Sequence, residues 1–238
     1  MFRHCADLTE DVLGFILSVS DPFGAFGCAD VSRGTAKALA DLYKDAVLLI
    51  DCSRGFDMVS WMEKEQPGIA YDLGDVLCDR CDPSDAVYRS DGGFFIMPAA
   101  SDASEVGAAE VGLLASEISP SFAAVVICCP AADFCFAQKI SEFASLTAVC
   151  CSADELGISA AAKLRRMLPE EASGCGIVVA DYSSEAVKKG ELLCLDDCID
   201  TAQARLLAVI PKKQTMRAEA FGNFAKRLSG VKTPLVKL

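Results

Sequence analysis

The sequence predicts an α/β protein with a doubly wound, mostly parallel sheet that is flanked by helices. Apolar runs of strand length alternate with helical patterns along the whole chain, which is typical of βαβ units. Several of these runs are continuously apolar, as expected of strands that are covered on both faces. The length suits one domain, so we expect residues 1–238 to form a single domain in which 1–11 are an N-terminal extension.

The predicted strands share a run of mostly apolar residues that is bounded by polar or turn-forming residues. In chain order they are 13–19, 46–51, 94–98, 123–128, 147–151, 177–180 and 206–210. The predicted helices share apolar residues three and four positions apart, which place one apolar stripe against the sheet. In chain order they are 31–43, 103–118, 153–167 and 215–228.

The composition excludes several classes of protein. His4 is the single histidine, which excludes serine–histidine triads and zinc sites with two histidines. The formal net charge is −12, so we expect no nucleic-acid partner. Positive charge is concentrated in 205–238, where Glu219 is the single acid.

Thirteen cysteines are present, which is a high and odd number. A secreted disulfide scaffold is shorter and carries a signal peptide, whereas here Asp7, Glu10 and Asp11 precede the first apolar run. The apolar run at 122–132 is too short to span a bilayer. We therefore expect a cytoplasmic protein with reduced thiols.

Several motifs follow one another in the order found in a known family of ATPases. A glycine-bearing turn at 20–29 joins the first strand to a helix, and the next strand ends at Asp51, as in a P-loop domain. Later segments resemble the MinD branch of the MinD/ParA family of deviant-Walker ATPases. They are 71–77, 95–99, 125–131, 188–197 and 206–211. The resemblance covers most of the chain and implies the P-loop NTPase-like fold of that family.

The residues with which the family handles Mg·ATP are replaced in this chain. Cys28 and Ala29 stand where the loop lysine and the Mg²⁺-binding hydroxyl belong, and Asp21-Pro22-Phe23 occupies the place of the signature lysine. The other replaced positions are Ser53 for an acid, Cys128 for the Walker B aspartate and Ala180-Asp181 for the Asn-Arg pair beside adenine. We therefore expect no catalytic residue, no ATP hydrolysis and no cofactor.

The remnant of the nucleotide site that the resemblance implies consists of Gly24, Gly27, Cys28 and Asp51. The two glycines serve either the tight turn alone or a retained phosphate-binding loop. Asp51, without a metal partner, is expected to be a capped or solvated carboxylate at the end of a strand.

With these losses, the resemblance implies a catalytically inactive pseudo-ATPase that acts as a scaffold or adaptor in spatial positioning. The process is cell division, or pilus or secretion machinery as in the TadZ/CpaE relatives of the family. We expect protein partners, with a homodimer as one option, and no stable membrane anchor, because helix 215–228 is expected to pack on the domain. Two alternatives stay open. One is an ATP-binding ATPase in which Arg33 or Lys37 compensates, and the other is a cysteine-based redox or metal sensor.

Six cysteines are expected at the carboxyl ends of parallel strands, where open α/β sheets bind ligands. They are Cys28, Cys52, Cys128, Cys129, Cys150 and Cys151. Cys28 and Cys128 should form the closest pair, and thiolate chemistry there is favoured if the helix N-terminus lowers the pKa of Cys28. The pair then holds a soft metal, forms a reversible disulfide, or fills a collapsed pocket. Cys78 and Cys81 have zinc-knuckle spacing but no second pair nearby, so no metal ligand is assigned.

Overall fold

One eight-stranded sheet organises the described residues. The computed structural model describes residues 14–24, 27–44, 46–53, 68–169 and 174–236. The strands are β1 (Phe15–Ser20), β2 (Val47–Asp51), β3 (Tyr88–Arg89), β4 (Phe95–Met97), β5 (Ala124–Cys128), β6 (Leu146–Cys151), β7 (Cys175–Tyr182) and β8 (Arg205–Pro211). Their order is β3-β4-β2-β5-β1-β6-β7-β8, and every neighbouring pair is parallel except β3 with β4. The predicted mostly parallel sheet is confirmed.

Helices cover both faces of this sheet, as a doubly wound fold requires. They are α1 (Cys28–Tyr43), α2 (Leu73–Leu77), α3 (Ala108–Ile118), α4 (Phe134–Ser141), α5 (Glu155–Met167), α6 (Ser184–Lys188), α7 (Leu195–Ala202) and α8 (Gln214–Leu228). Helices α1 and α8 share one core with the sheet, and α3, α4, α5 and α7 bury their apolar residues on the opposite face. Within the described ranges, no helix is long and apolar enough to cross a membrane.

The apolar stripe of α8 packs on the domain, as predicted. Ala220, Phe221, Phe224 and Ala225 are buried in the core that α8 shares with α1. The glycine at position 34 of α1 permits this close approach, because a Cβ there would lie 2.4 Å from Cζ of Phe221. The apolar face of α8 is therefore buried against α1 and the sheet.

Two of the predicted helices differ from the structure by three residues or more at their N-terminal ends. The predicted helix 31–43 begins earlier, at Cys28, because Gly27 adopts the left-handed conformation (φ 69°) that starts it. The predicted helix 103–118 is divided into a 3₁₀ turn, Ala103–Glu105, and α3, because Gly107 between them is extended. The start of the predicted strand 13–19 lies outside the described residues at position 13, and β1 begins at Phe15.

Candidate functional site

The turn from β1 to α1 lies at the carboxyl edge of the sheet. The ends of β5 and β6 flank it, and the end of β2 lies next to that of β5. Gly24 and Gly27 both have positive φ angles, 79° and 69°, which L side chains rarely adopt. A Cβ on Gly24 would lie 3.5 Å from the Cβ of Ala132, so the turn packs against the segment that follows β5. Both glycines are thus required by the turn itself, whatever it binds.

Asp21 directs its carboxylate into its own turn. The side chain is buried, and Oδ1 accepts hydrogen bonds from the backbone N–H of Phe23 at 3.1 Å and of Gly24 at 2.7 Å. The carbonyl of Asp21 in addition accepts from the N–H of Ala132 at 2.8 Å. A phosphate-binding loop presents amides of this kind to its anion, but here a carboxylate of the chain itself occupies two of them. The Asp-x-x-Gly spacing, typical of an Asx turn, is the signal that sequence reasoning missed.

We expect Asp21→Ala to lower the free energy of unfolding by about 1–2 kcal/mol, because two hydrogen bonds to an ionised acceptor are lost. Asp21→Asn is the matched control, since its Oδ1 still accepts from both amides, and it should lose less than half as much. Urea unfolding of the three proteins measures the difference. Equal losses for Ala and Asn would contradict the role of Oδ1 as the acceptor that holds the turn.

Cys28 and Cys128 lie side by side under the first turn of α1. Their sulfurs are 3.6 Å apart, which confirms the prediction that these two cysteines are close. The Cys28 thiol also donates to the carbonyl of Val19, at 3.1 Å. Contact with the Cys128 thiol, together with burial, raises the pKa of Cys28 well above its usual value. The condition that would favour a thiolate here, a pKa of Cys28 lowered by the helix N-terminus, is therefore not met, because the neighbouring thiol and burial both disfavour the charged form.

The other four strand-end cysteines are also buried, as Cys52, Cys129, Cys150 and Cys151. Burial raises the pKa of Cys129 to about 12 and that of Cys52, Cys150 and Cys151 in the same direction. At neutral pH these thiols are protonated, so they act as small apolar side chains at the edge of the sheet.

Asp51 ends β2 and is fully buried, so of the two expected states the solvated carboxylate is wrong, whereas the capped one is confirmed by a hydrogen bond from Ser53. Its Oδ1 accepts from the N–H of Ser53 at 2.8 Å, whereas Oδ2 has no hydrogen-bond partner among the described residues. Burial raises the pKa of Asp51 to about 6, although the hydrogen bonds from Ser53 lower it in part. In the β2–β5 pairing Asp51 lies directly opposite Cys128, so it ends its strand at the same edge of the sheet as that cysteine.

An ion-pair network links the first turn of α1 to α8. The carboxylate of Asp30 forms ion pairs with the guanidinium groups of Arg33, at 2.9 Å, and Arg217, at 2.7 Å. Arg217 also lies 3.9 Å from the carboxylate of Asp181. Arg33, which was one candidate for a compensating cation, is therefore bound to Asp30. Lys37, the other candidate, is exposed and nine residues into α1, about 13 Å along the helix axis from Cys28.

These residues do not fit Mg·ATP. Mg²⁺ takes hard oxygen ligands, yet the residue opposite Asp51 in the β2–β5 pairing is Cys128, whose sulfur lies 3.6 Å from that of Cys28. The turn has no lysine to neutralise phosphate charge, and Asp21 occupies two of its amides. Asp51 is the one residue of the expected remnant that keeps an oxygen suited to a cation.

The fold is that of a large set of solved P-loop proteins. The MinD of the MinC:MinD complex from Aquifex aeolicus superposes with a TM-score of 0.82 at 21% identity, over 94% of this chain and 99% of that one. The chain has the MinD/ParA-type fold. A ParA-family ATPase from Chlorobium tepidum has a TM-score of 0.69 at 15% identity, over 92% of this chain and 93% of that one.

The MinD/ParA-type fold is also shared with an enzyme of another function. Cobyrinic acid a,c-diamide synthase from Mycobacterium smegmatis, solved with ADP and magnesium, has a TM-score of 0.73 at 20% identity, over 95% of this chain and 100% of that one. No family model and no curated protein matches the sequence. The likeness is thus one of fold, and the function must be argued from the residues at the carboxyl edge of the sheet.

Proposed function

We propose that the protein is a nucleotide-independent scaffold or adaptor that positions other proteins, built on a MinD/ParA-type fold whose nucleotide site is degenerate. One observation carries the proposal: the carboxylate of Asp21 accepts from the amides of Phe23 and Gly24 in the turn where the family holds phosphate. A bound triphosphate would have to displace this carboxylate and then lie beside it. The two groups are both negative, and no lysine of the turn offsets the repulsion.

The sulfur pair supports the same proposal from the other side of the site. Cys28 and Cys128 are in contact with each other and with backbone, in the places of the lysine and the Walker B aspartate. A buried thiol pair supplies neither positive charge nor a hard oxygen ligand. ATP hydrolysis needs both the positive charge and the oxygen ligand. We therefore propose that this protein binds no Mg·ATP and has no ATPase activity.

The positioning role rests on the fold and on the kind of assembly in which that fold is found. The MinD neighbour is a cell division protein solved in complex with MinC. By analogy we propose protein partners for this chain, in cell division or in the placement of pilus or secretion machinery, with a second copy of the chain as one partner. Because nucleotide does not switch the fold, these contacts are constitutive.

Calorimetric titration and thermal unfolding with millimolar Mg·ATP and Mg·ADP test the nucleotide part. We expect no binding heat and a melting temperature that changes by less than about 1 °C. A ligand at 100 times its dissociation constant adds about 2.7 kcal/mol of stability, which is a rise of roughly 5–10 °C for a chain of this size. The Aquifex aeolicus MinD serves as the parallel control, and a rise of that order here would overturn the proposal.

Fluorescence microscopy of the tagged full chain in its own cells tests the positioning part. We expect the protein to concentrate at a fixed place in the cell. Asp51→Asn removes the carboxylate at the end of β2, the one oxygen of the expected remnant suited to a cation, and it should leave that pattern unchanged. An even distribution of the wild-type protein would contradict the positioning role, and loss of the pattern in Asp51→Asn alone would contradict its independence from nucleotide.

A further inference from the structure

We propose that Cys28 and Cys128 form an oxidisable dithiol, whose oxidation to an intramolecular disulfide ties the start of α1 to the end of β5. The proposal goes beyond the scaffold function, which requires only that these positions bind no Mg·ATP. It makes the former nucleotide site a place where the chain is covalently modified.

The placement of the two sulfurs supports this pairing. They are 3.6 Å apart across 100 residues of sequence, and a disulfide needs about 2.05 Å, so they must approach by about 1.5 Å. Cys28 is the first residue of α1 and follows a glycine with a left-handed backbone, whereas Cys128 ends a fully buried central strand. The movement that brings the sulfurs together therefore occurs at the N-terminal end of α1, which moves more readily than β5.

The surroundings of the pair favour a disulfide over a bound metal. The carbonyl oxygens of Val19 and Cys129 lie 3.1 and 3.7 Å from the sulfur of Cys28, where they accept from a thiol and would repel a thiolate. A disulfide is neutral and leaves no charge in this buried place, whereas metal thiolates carry negative charge. In the described part of the chain, no group of three or more histidine, cysteine or acidic residues is placed to hold a metal.

The oxidant is a low-molecular-weight disulfide of the glutathione type, and the reaction proceeds by two exchanges. Cys28 is 6% exposed and Cys128 is fully buried, so Cys28 is the attacking residue. Its thiolate attacks one sulfur of the oxidant, forms a mixed disulfide and releases one small thiolate. Cys128 then attacks Sγ of Cys28 and releases the second. The protein loses two electrons and two protons, and the oxidant becomes two thiols.

The raised pKa of Cys28 makes the first exchange slow at neutral pH, because the thiolate is the nucleophile. We therefore expect the site to stay reduced in brief exposure and to oxidise over hours, faster at higher pH. The disulfide closes a loop of 100 residues, so it restricts the unfolded chain. The oxidised protein should melt roughly 5–10 °C above the reduced one.

Oxidised glutathione is added to the reduced full chain under anaerobic conditions, and the free thiols are alkylated before digestion without reductant. Mass spectrometry should detect a linked peptide pair that contains Cys28 and Cys128, two hydrogens lighter than the separate peptides. The link and the rise in melting temperature should both disappear with dithiothreitol. Cys28→Ser and Cys128→Ser should each abolish them, while Cys135→Ser, at an exposed cysteine of α4, should not.

The peptide map of the wild-type chain decides the proposal even if a variant fails to fold. Recovery of Cys28 and Cys128 as free thiols, while Cys78 and Cys81 are oxidised, would overturn it. A link from Cys28 to a different cysteine would do the same. Stoichiometric zinc or copper in the purified protein that Cys28→Ser removes would identify a metal site instead.

Discussion

Leu39→Ala is expected to lower the free energy of unfolding by about 2–5 kcal/mol, which is the range for buried Leu→Ala changes. Leu39 lies in α1, is 1% exposed, and belongs to the core that α1 and α8 share with the sheet. Removal of three side-chain carbons there leaves a cavity in the layer that supports the turn at Asp21 and Cys28. The melting temperature should fall by roughly 5–15 °C.

Leu113→Ala provides the matched control, because it makes the same change in the middle of another helix at a side chain that is 62% exposed. Its cost should stay below about 0.5 kcal/mol. Urea unfolding curves give both values, provided that the slopes agree with that of the wild type. Similar losses of unfolding free energy at the two positions would show that α1 is not packed on the sheet as described.

The stability of the protein should carry a pH dependence from Asp51. Its folded pKa of about 6 lies above the ordinary 3.8, because burial disfavours the charged form. Below pH 3.8 the group is protonated in both states and has no effect. As the pH rises through the folded pKa, the folded protein comes to hold a buried carboxylate at a cost of about 3 kcal/mol. Stability from this residue is therefore lost between about pH 4 and 6.

Asp51→Asn isolates this effect, since it is neutral at every pH and keeps an oxygen for the N–H of Ser53. The free energy of unfolding of Asp51→Asn minus that of the wild type should rise by about 2–2.5 kcal/mol from pH 4 to pH 7. Other titrating groups are common to both proteins and cancel in the difference. A difference that stays flat over this range would contradict the burial of a titrating carboxylate at the end of β2.

The layered fold could be predicted from the sequence because each strand leaves a local signature. The run 123–128 is apolar throughout and corresponds to β5, Ala124–Cys128, within one residue. A strand that is buried on both faces needs a continuous apolar run. Such a strand can therefore be predicted without knowledge of the strands beside it. Short helices and strands contain too few residues to show such a pattern. The two-residue β3 and the eight-residue α4 were not predicted, although Asp133 caps α4 in the usual way.

Residue identity alone also determined which groups are lacking at the positions that correspond to the nucleotide site of the resembled family. Cys28 cannot supply a cation and Cys128 cannot supply a hard oxygen ligand, whatever surrounds them. The sequence likewise placed both cysteines at strand or helix ends on one edge of the sheet. Chemistry that depends on the type of a side chain is therefore readable directly from the chain.

Only the tertiary structure decided what the remaining groups do instead. The turn of Asp21 onto its own amides, the 3.6 Å contact of two sulfurs 100 residues apart, and the pairing of Asp30 with Arg217 depend on how distant segments meet. The same holds for the pKa of Asp51, because burial is set by the elements packed around a group and not by its neighbours in sequence. A sequence specifies side-chain chemistry locally, whereas distance and solvent exposure arise when the sheet brings its strands together.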